Sequence, residues 1–86
     1  MNCMIEHIEP VLDAIEPGSP VHDAGWNFLN TVKRTQDITK PDLVDKMSYS
    51  VLSLLVTASQ LKDEQLIMKE GEISHLIMGC CRALTS

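Results

Sequence analysis

Eighty-six residues make room for one domain with one small core, because a chain of this size buries only about 60% of the surface that its unfolded form exposes. The net charge is −5, and Trp26, Phe28 and Tyr49 are the whole aromatic complement. Such a chain offers neither the basic surface that phosphate-backbone binding requires nor a base-stacking platform, so direct nucleic-acid binding is not expected.

The charge is unevenly placed. Residues 1–32 carry Glu6, Glu9, Asp13, Glu16 and Asp23 with no Lys or Arg, whereas residues 33–86 balance seven acids against seven bases. The opening "MNCMIEHIEP" has no positive n-region and is interrupted by acids and a proline, unlike a secretory signal. The apolar run Val51 to Ala58 falls well short of the ~20 residues of a membrane span. Cys3, Cys80 and Cys81 form an odd set, and two are sequence neighbours, which makes a poor disulfide framework. Free thiols suit a reducing compartment, so a cytoplasmic location is expected. His75 lies five and six residues from Cys80 and Cys81, neither spacing placing ligands on one helix face, and no metal site or cofactor is expected.

The periodicity is helical throughout. In the first segment Met4, Ile5, Ile8, Val11, Leu12 and Ile15 recur at helical spacing, with Glu6, Glu9, Asp13 and Glu16 on the other side. Pro10 is tolerated only in a first turn by local rules, so this spacing predicts a short helix starting near His7 to Glu9, with residues 1–6 frayed or extended. "EPGSP", residues 16–20, is a loop, with Ser19 as N-cap and Pro20 as the first residue of the next helix. That helix runs to about Thr35 with Val21, Trp26, Phe28, Leu29 and Val32 on its apolar face, and Lys33 and Arg34 suit its C-terminal dipole.

Thr39 with Asp42 resembles a capping box, so a third helix is expected from Lys40 or Pro41. Its expected seam is Val44, Met47, Val51, Leu54, Ala58 and Leu61, and Leu43, Leu52, Leu55 and Val56 widen the stripe. It ends either at residues 62–65, with Asp63 capping a fourth helix, or at Glu70 with Gly71 as the C′ residue. The pattern favours the early break, because a continuous helix would turn Leu66 and Ile67 to water. The early break leaves Gly71 mid-helix at a cost of ~1 kcal/mol.

The expected fold is therefore a single all-α domain spanning residues 1–86. It is a small bundle of three to four helices built on an antiparallel hairpin (about 41–62 and 64–84), with a short N-terminal helix. One side of the third helix is used by that hairpin. The surplus on Leu52, Leu55 and Val56 points to an interface, most simply with a second copy in a homodimer. Trp26 is either a core anchor, the commoner role, or a hot spot of that binding surface. No serine sits in a nucleophile elbow, and Gly18, Gly25, Gly71 and Gly79 form no phosphate loop, so no catalytic residue is assigned and an enzyme is not expected. Two functions fit. One is a homodimeric regulatory or adaptor protein that binds a protein partner through its apolar surface. The other is an acidic inhibitor, phage-type or anti-defence, whose stripe of Glu6, Glu9, Asp13 and Glu16 blocks a basic nucleic-acid-binding site on a host protein. No membrane partner is expected.

Overall fold

The computed structural model describes residues 3–35 and 41–85, with side chains from Ile5 onward. Four helices and no strand occur among them: α1 Cys3–Asp13, α2 Pro20–Arg34, α3 Pro41–Gln60 and α4 Glu64–Thr85. The capping box suggested for Thr39, and Lys40 as a helix start, lie outside the described residues.

The start of α1 corrects the sequence reading. The helix begins at Cys3 and carries Pro10 in its interior. Local rules set ~3 kcal/mol against this. Tertiary burial outweighs them: Ile8 and Leu12 are fully buried and Ile5 packs against the core, and a fully buried aliphatic side chain is worth ~1.5–3 kcal/mol. Pro10 and Glu6 are both exposed, so the Glu6 carbonyl that loses its helical donor sits on the wet side of the helix.

The start of α2 follows its sequence signals. Ser19 is extended (φ −73°, ψ 151°), its hydroxyl accepts from the His22 N–H at 3.1 Å, and Pro20 follows at the first helical position. The helix closes at Thr35, whose N–H and hydroxyl both return to the Thr31 carbonyl. The break between α3 and α4 falls at residues 61–63, as the apolar pattern favoured. Asp63 turns the chain in the left-handed region (φ 58°), which aspartate tolerates better than most residues, and its carbonyl accepts the first α4 bond from Ile67. Gly71 lies exposed within α4.

Contacts fix the directions. Asn27 meets Met78 and Thr31 lies beside Cys81, so α2 and α4 run in parallel. With short connections the order is up-down-up-down. α2 touches all three other helices and packs most extensively on α4, while α1 lies against α3 and α2 and makes no close approach to α4 among the described residues. The radius of gyration is 12.3 Å, against about 12 Å expected for a compact chain of this length.

The core contains Ile8, Leu12 and Ile15 from α1 and the turn after it, and Val21, Phe28, Leu29 and Val32 from α2. Val51, Leu55 and Ala58 come from α3, and Ile73, Ile77, Cys81 and Leu84 from α4. The α3 seam is thus Ser48, Val51, Leu55 and Ala58. Leu54, expected at its centre, is half-buried beside it. At the middle of the bundle Leu12 occupies a notch left by Gly25: a Cβ there would overlap Leu12 Cδ2 and stand 3.2 Å from Leu55 Cδ2.

Candidate functional site

With Ser48, Val51, Leu55 and Ala58 turned inward, the helical repeat sends Tyr49, Ser53, Val56 and Thr57 outward, with Leu52 at the border. These five residues line a shallow groove along one side of α3. Tyr49 is 63% exposed and Val56 36% exposed. None of the five carries a charge.

Three hydroxyls of α3 are engaged with their own helix. Ser50 donates to the Lys46 carbonyl at 3.1 Å, Thr57 to Ser53 at 3.0 Å and Ser59 to Val56 at 2.7 Å. Their protons go to backbone carbonyls of their own helix, where a nucleophile would instead need a base.

The apolar residues singled out from sequence separate. Leu55 is fully buried against Gly25 and the α1 side, so its place in a partner surface is corrected: it is a core residue of the single chain. The reason is phase. An α3 rotated by one residue puts Leu55 where Leu54 was expected, and Leu12 with Gly25 supplies the packing that selects it. Leu52 is half-buried and Val56 is exposed on the groove. Trp26 is half-buried on α2, packs partly on the core, and its indole N–H donates to His22 Nε2 at 3.3 Å, with the rings 6.4 Å apart and tilted by 59°. It is not in the groove.

Tyr49, with Ser53 and Thr57, is what sequence reasoning missed. Its signal was present: residues 49, 52, 53, 56 and 57 repeat at helical spacing on the side opposite Val51 and Ala58. Elsewhere Ile67, Met68 and Leu76 are exposed on α4.

Glu6, Glu9 and Asp13 follow one side of α1, Glu16 lies just beyond it, and all four are exposed. No Lys or Arg within residues 1–32 offsets them. Cys80 is half-buried and Cys81 buried, and both are free thiols. Burial pushes both thiols up, and the neighbouring thiol adds to this for Cys80. A raised thiol holds little thiolate near neutrality, so neither has the character of an activated nucleophile. Among the described residues no three of His, Cys, Asp and Glu gather into a metal-sized cluster, and no helix is long and apolar enough to cross a membrane.

No protein-family model matches the chain, and no curated protein or solved structure shows significant similarity to it.

Proposed function

We propose that this chain is a small regulatory or adaptor protein that acts by binding protein, its own second copy included, through the outer side of α3. The observation that carries the reading is the uncharged groove of Tyr49, Leu52, Ser53, Val56 and Thr57, with an exposed tyrosine at one end, on a chain in which 22% of residues are charged. Tyrosine is an anchor residue type at protein interfaces, supplying contact area together with a polar tip. A two-fold axis over the groove would let each copy cover the same residues on the other.

The test is sedimentation equilibrium of the wild type and of Tyr49→Glu with Val56→Glu. The wild type should show a concentration-dependent mass above 9.6 kDa, and the double variant should lower it with an unchanged helical spectrum. Identical masses for the two proteins, and equal capture of partner from the native host, would place the binding surface elsewhere.

A second reading rests on a separate observation, the four exposed carboxylates of Glu6, Glu9, Asp13 and Glu16 in a third of the chain that has no Lys or Arg. In it the α1 side acts as an acidic inhibitor of a basic nucleic-acid-binding site. Exchanging the four for amides should then slow partner association roughly tenfold or more, and the wild-type on-rate should fall steeply with salt. Under the first reading the amides leave affinity nearly unchanged.

A further inference from the structure

Trp26 is the only tryptophan of the chain, and the groove on α3 makes no use of it. It is half-buried on α2 and packs against the core. Among the described residues its indole N–H has one partner, Nε2 of His22 one turn earlier, at 3.3 Å. A ring nitrogen that accepts a hydrogen bond carries no proton, so the pair requires a neutral imidazole with its proton on Nδ1. The backbone of His22 is itself held, because its N–H donates to the Ser19 hydroxyl that caps α2.

A second proton on this imidazole goes to Nε2. Two N–H donors then point at each other, and the bond is lost. The ring geometry offers no compensating contact. The imidazole meets the indole at its N–H edge, with centroids 6.4 Å apart and planes tilted by 59°. The edge is the positive rim of the aromatic quadrupole, whereas a cation is attracted to the face. An indole N–H without an acceptor turns to water, and this ring already stands half at the surface.

Other ionisable groups lie on each neighbouring element. Asp23 follows on α2. Leu12 over Gly25 sets Asp13 of α1 and Glu16 of the turn near the level of His22. Asn27 beside Met78 sets Glu72 and His75 there on α4. Leu55 beside Gly25 sets Lys62 and Asp63 there, just after α3. Among the described residues none of them forms an ion pair or hydrogen bond with His22.

We infer that the pair is a pH-sensitive catch: neutral His22 holds Trp26 on the core, and protonated His22 lets the indole turn outward beside α2. Trp26 then changes from a core anchor into an exposed aromatic of the kind that anchors protein contacts. The catch does not depend on the α3 groove.

The test is a titration of the full chain from about pH 8 to about pH 5, the span in which histidine side chains change charge. Tryptophan emission and its quenching by acrylamide report Trp26 alone, and NMR follows the indole N–H and the His22 ring. Readings are taken where the helical circular dichroism is unchanged. On acidification the emission should shift to the red and quenching should rise. The indole N–H resonance should move with the midpoint of the His22 ring. His22→Gln, whose amide takes no proton, should abolish all three changes, although His7 and His75 still titrate.

The same changes in His22→Gln would overturn the inference. So would an emission that stays constant while the His22 ring titrates, even if the indole resonance moves, because the bond would then break without release of the ring. A His22 ring that takes no proton until the helical spectrum is lost overturns it as well. If His22→Gln does not fold, the wild type decides alone: emission, quenching and indole resonance that follow the His22 midpoint support the catch, and any other midpoint overturns it.

Discussion

Gly25→Ala is the sharpest probe of how the bundle is packed, because two opposing effects of known sign meet at one methyl group. In an open helix interior, Gly→Ala gains ~1 kcal/mol. Gly71 is such a site, with nothing within 4 Å of an added Cβ, and Gly71→Ala should raise stability by that amount. At Gly25 the same methyl meets Leu12 and stands 3.2 Å from Leu55, both fully buried. Overpacking a core costs typically ~1–3 kcal/mol. The net expectation is a loss of about 1 kcal/mol at Gly25 against a gain of about 1 kcal/mol at Gly71. The decisive measurement is the double variant. Leu12→Ala alone should cost ~2–5 kcal/mol through the cavity it leaves. In that background Gly25→Ala enters vacated space, so its effect should reverse to a gain of about 1 kcal/mol. The assay is urea denaturation followed by far-ultraviolet circular dichroism, comparing midpoints at equal slope. If Gly25→Ala stabilises the wild-type chain as Gly71→Ala does, the seating of Leu12 in the notch is refuted.

Three further outcomes are expected. Ser48 is fully buried and its hydroxyl has no hydrogen-bond partner among the described residues, so Ser48→Ala should raise stability by about 1 kcal/mol in the same titration; a loss above ~0.5 kcal/mol, beyond ordinary surface effects, would mean the hydroxyl is satisfied. Leu55→Ala should cost ~2–5 kcal/mol and Leu54→Ala clearly less, since Leu55 is fully buried and Leu54 half-buried; the reverse order would mean that the α3 phase is wrong. Burial raises the Cys80 and Cys81 thiols above their ordinary 9.0. The unfolded chain therefore releases these protons first, and stability present below about pH 9 should be lost as pH rises through the folded values. Denaturation midpoints between neutral and alkaline pH, compared with Cys80→Ser and Cys81→Ala, check this: equal alkaline losses in parent and variants would assign the effect to other groups.

How much of this was legible in the sequence depended on whether local or tertiary forces decided each element. The start of α2 was legible because Ser19 and Pro20 act through their own backbone. The break after α3 was legible through Leu66, which the break lets pack against the core, but not through Ile67, which stays exposed all the same. The start of α1 was not, because the penalty of Pro10 is local while the compensating burial of Ile8 and Leu12 comes from helices distant in sequence. The phase of α3 was obscured by composition. Val51 and Ala58 belong to both the expected and the observed seam, and the choice between Leu54 and Leu55 is a single-residue rotation. The polar Ser48 occupies the true core line, and the apolar Val44 and Met47 pull the reading toward the other. Gly25 was visible as a residue beside the apolar face, but its use as a notch requires knowing that Leu12 stands over it.

The outer side of α3 also limits the complex it can sustain. Aromatic side chains bury ~150–250 Å² each, so Tyr49 at 63% exposure, with Val56, a half-buried Leu52 and two small hydroxyl residues, offers roughly 400 Å² at most. A stable interface takes roughly 800 Å² per partner. Contact through α3 alone is therefore weak and rapidly reversible, and a lasting complex must recruit further surface. The exposed Leu76, Met68 and Ile67 of α4 are apolar residues available for that extension. Dilution should therefore dissolve an α3-mediated complex at once, unless that added α4 surface slows its dissociation.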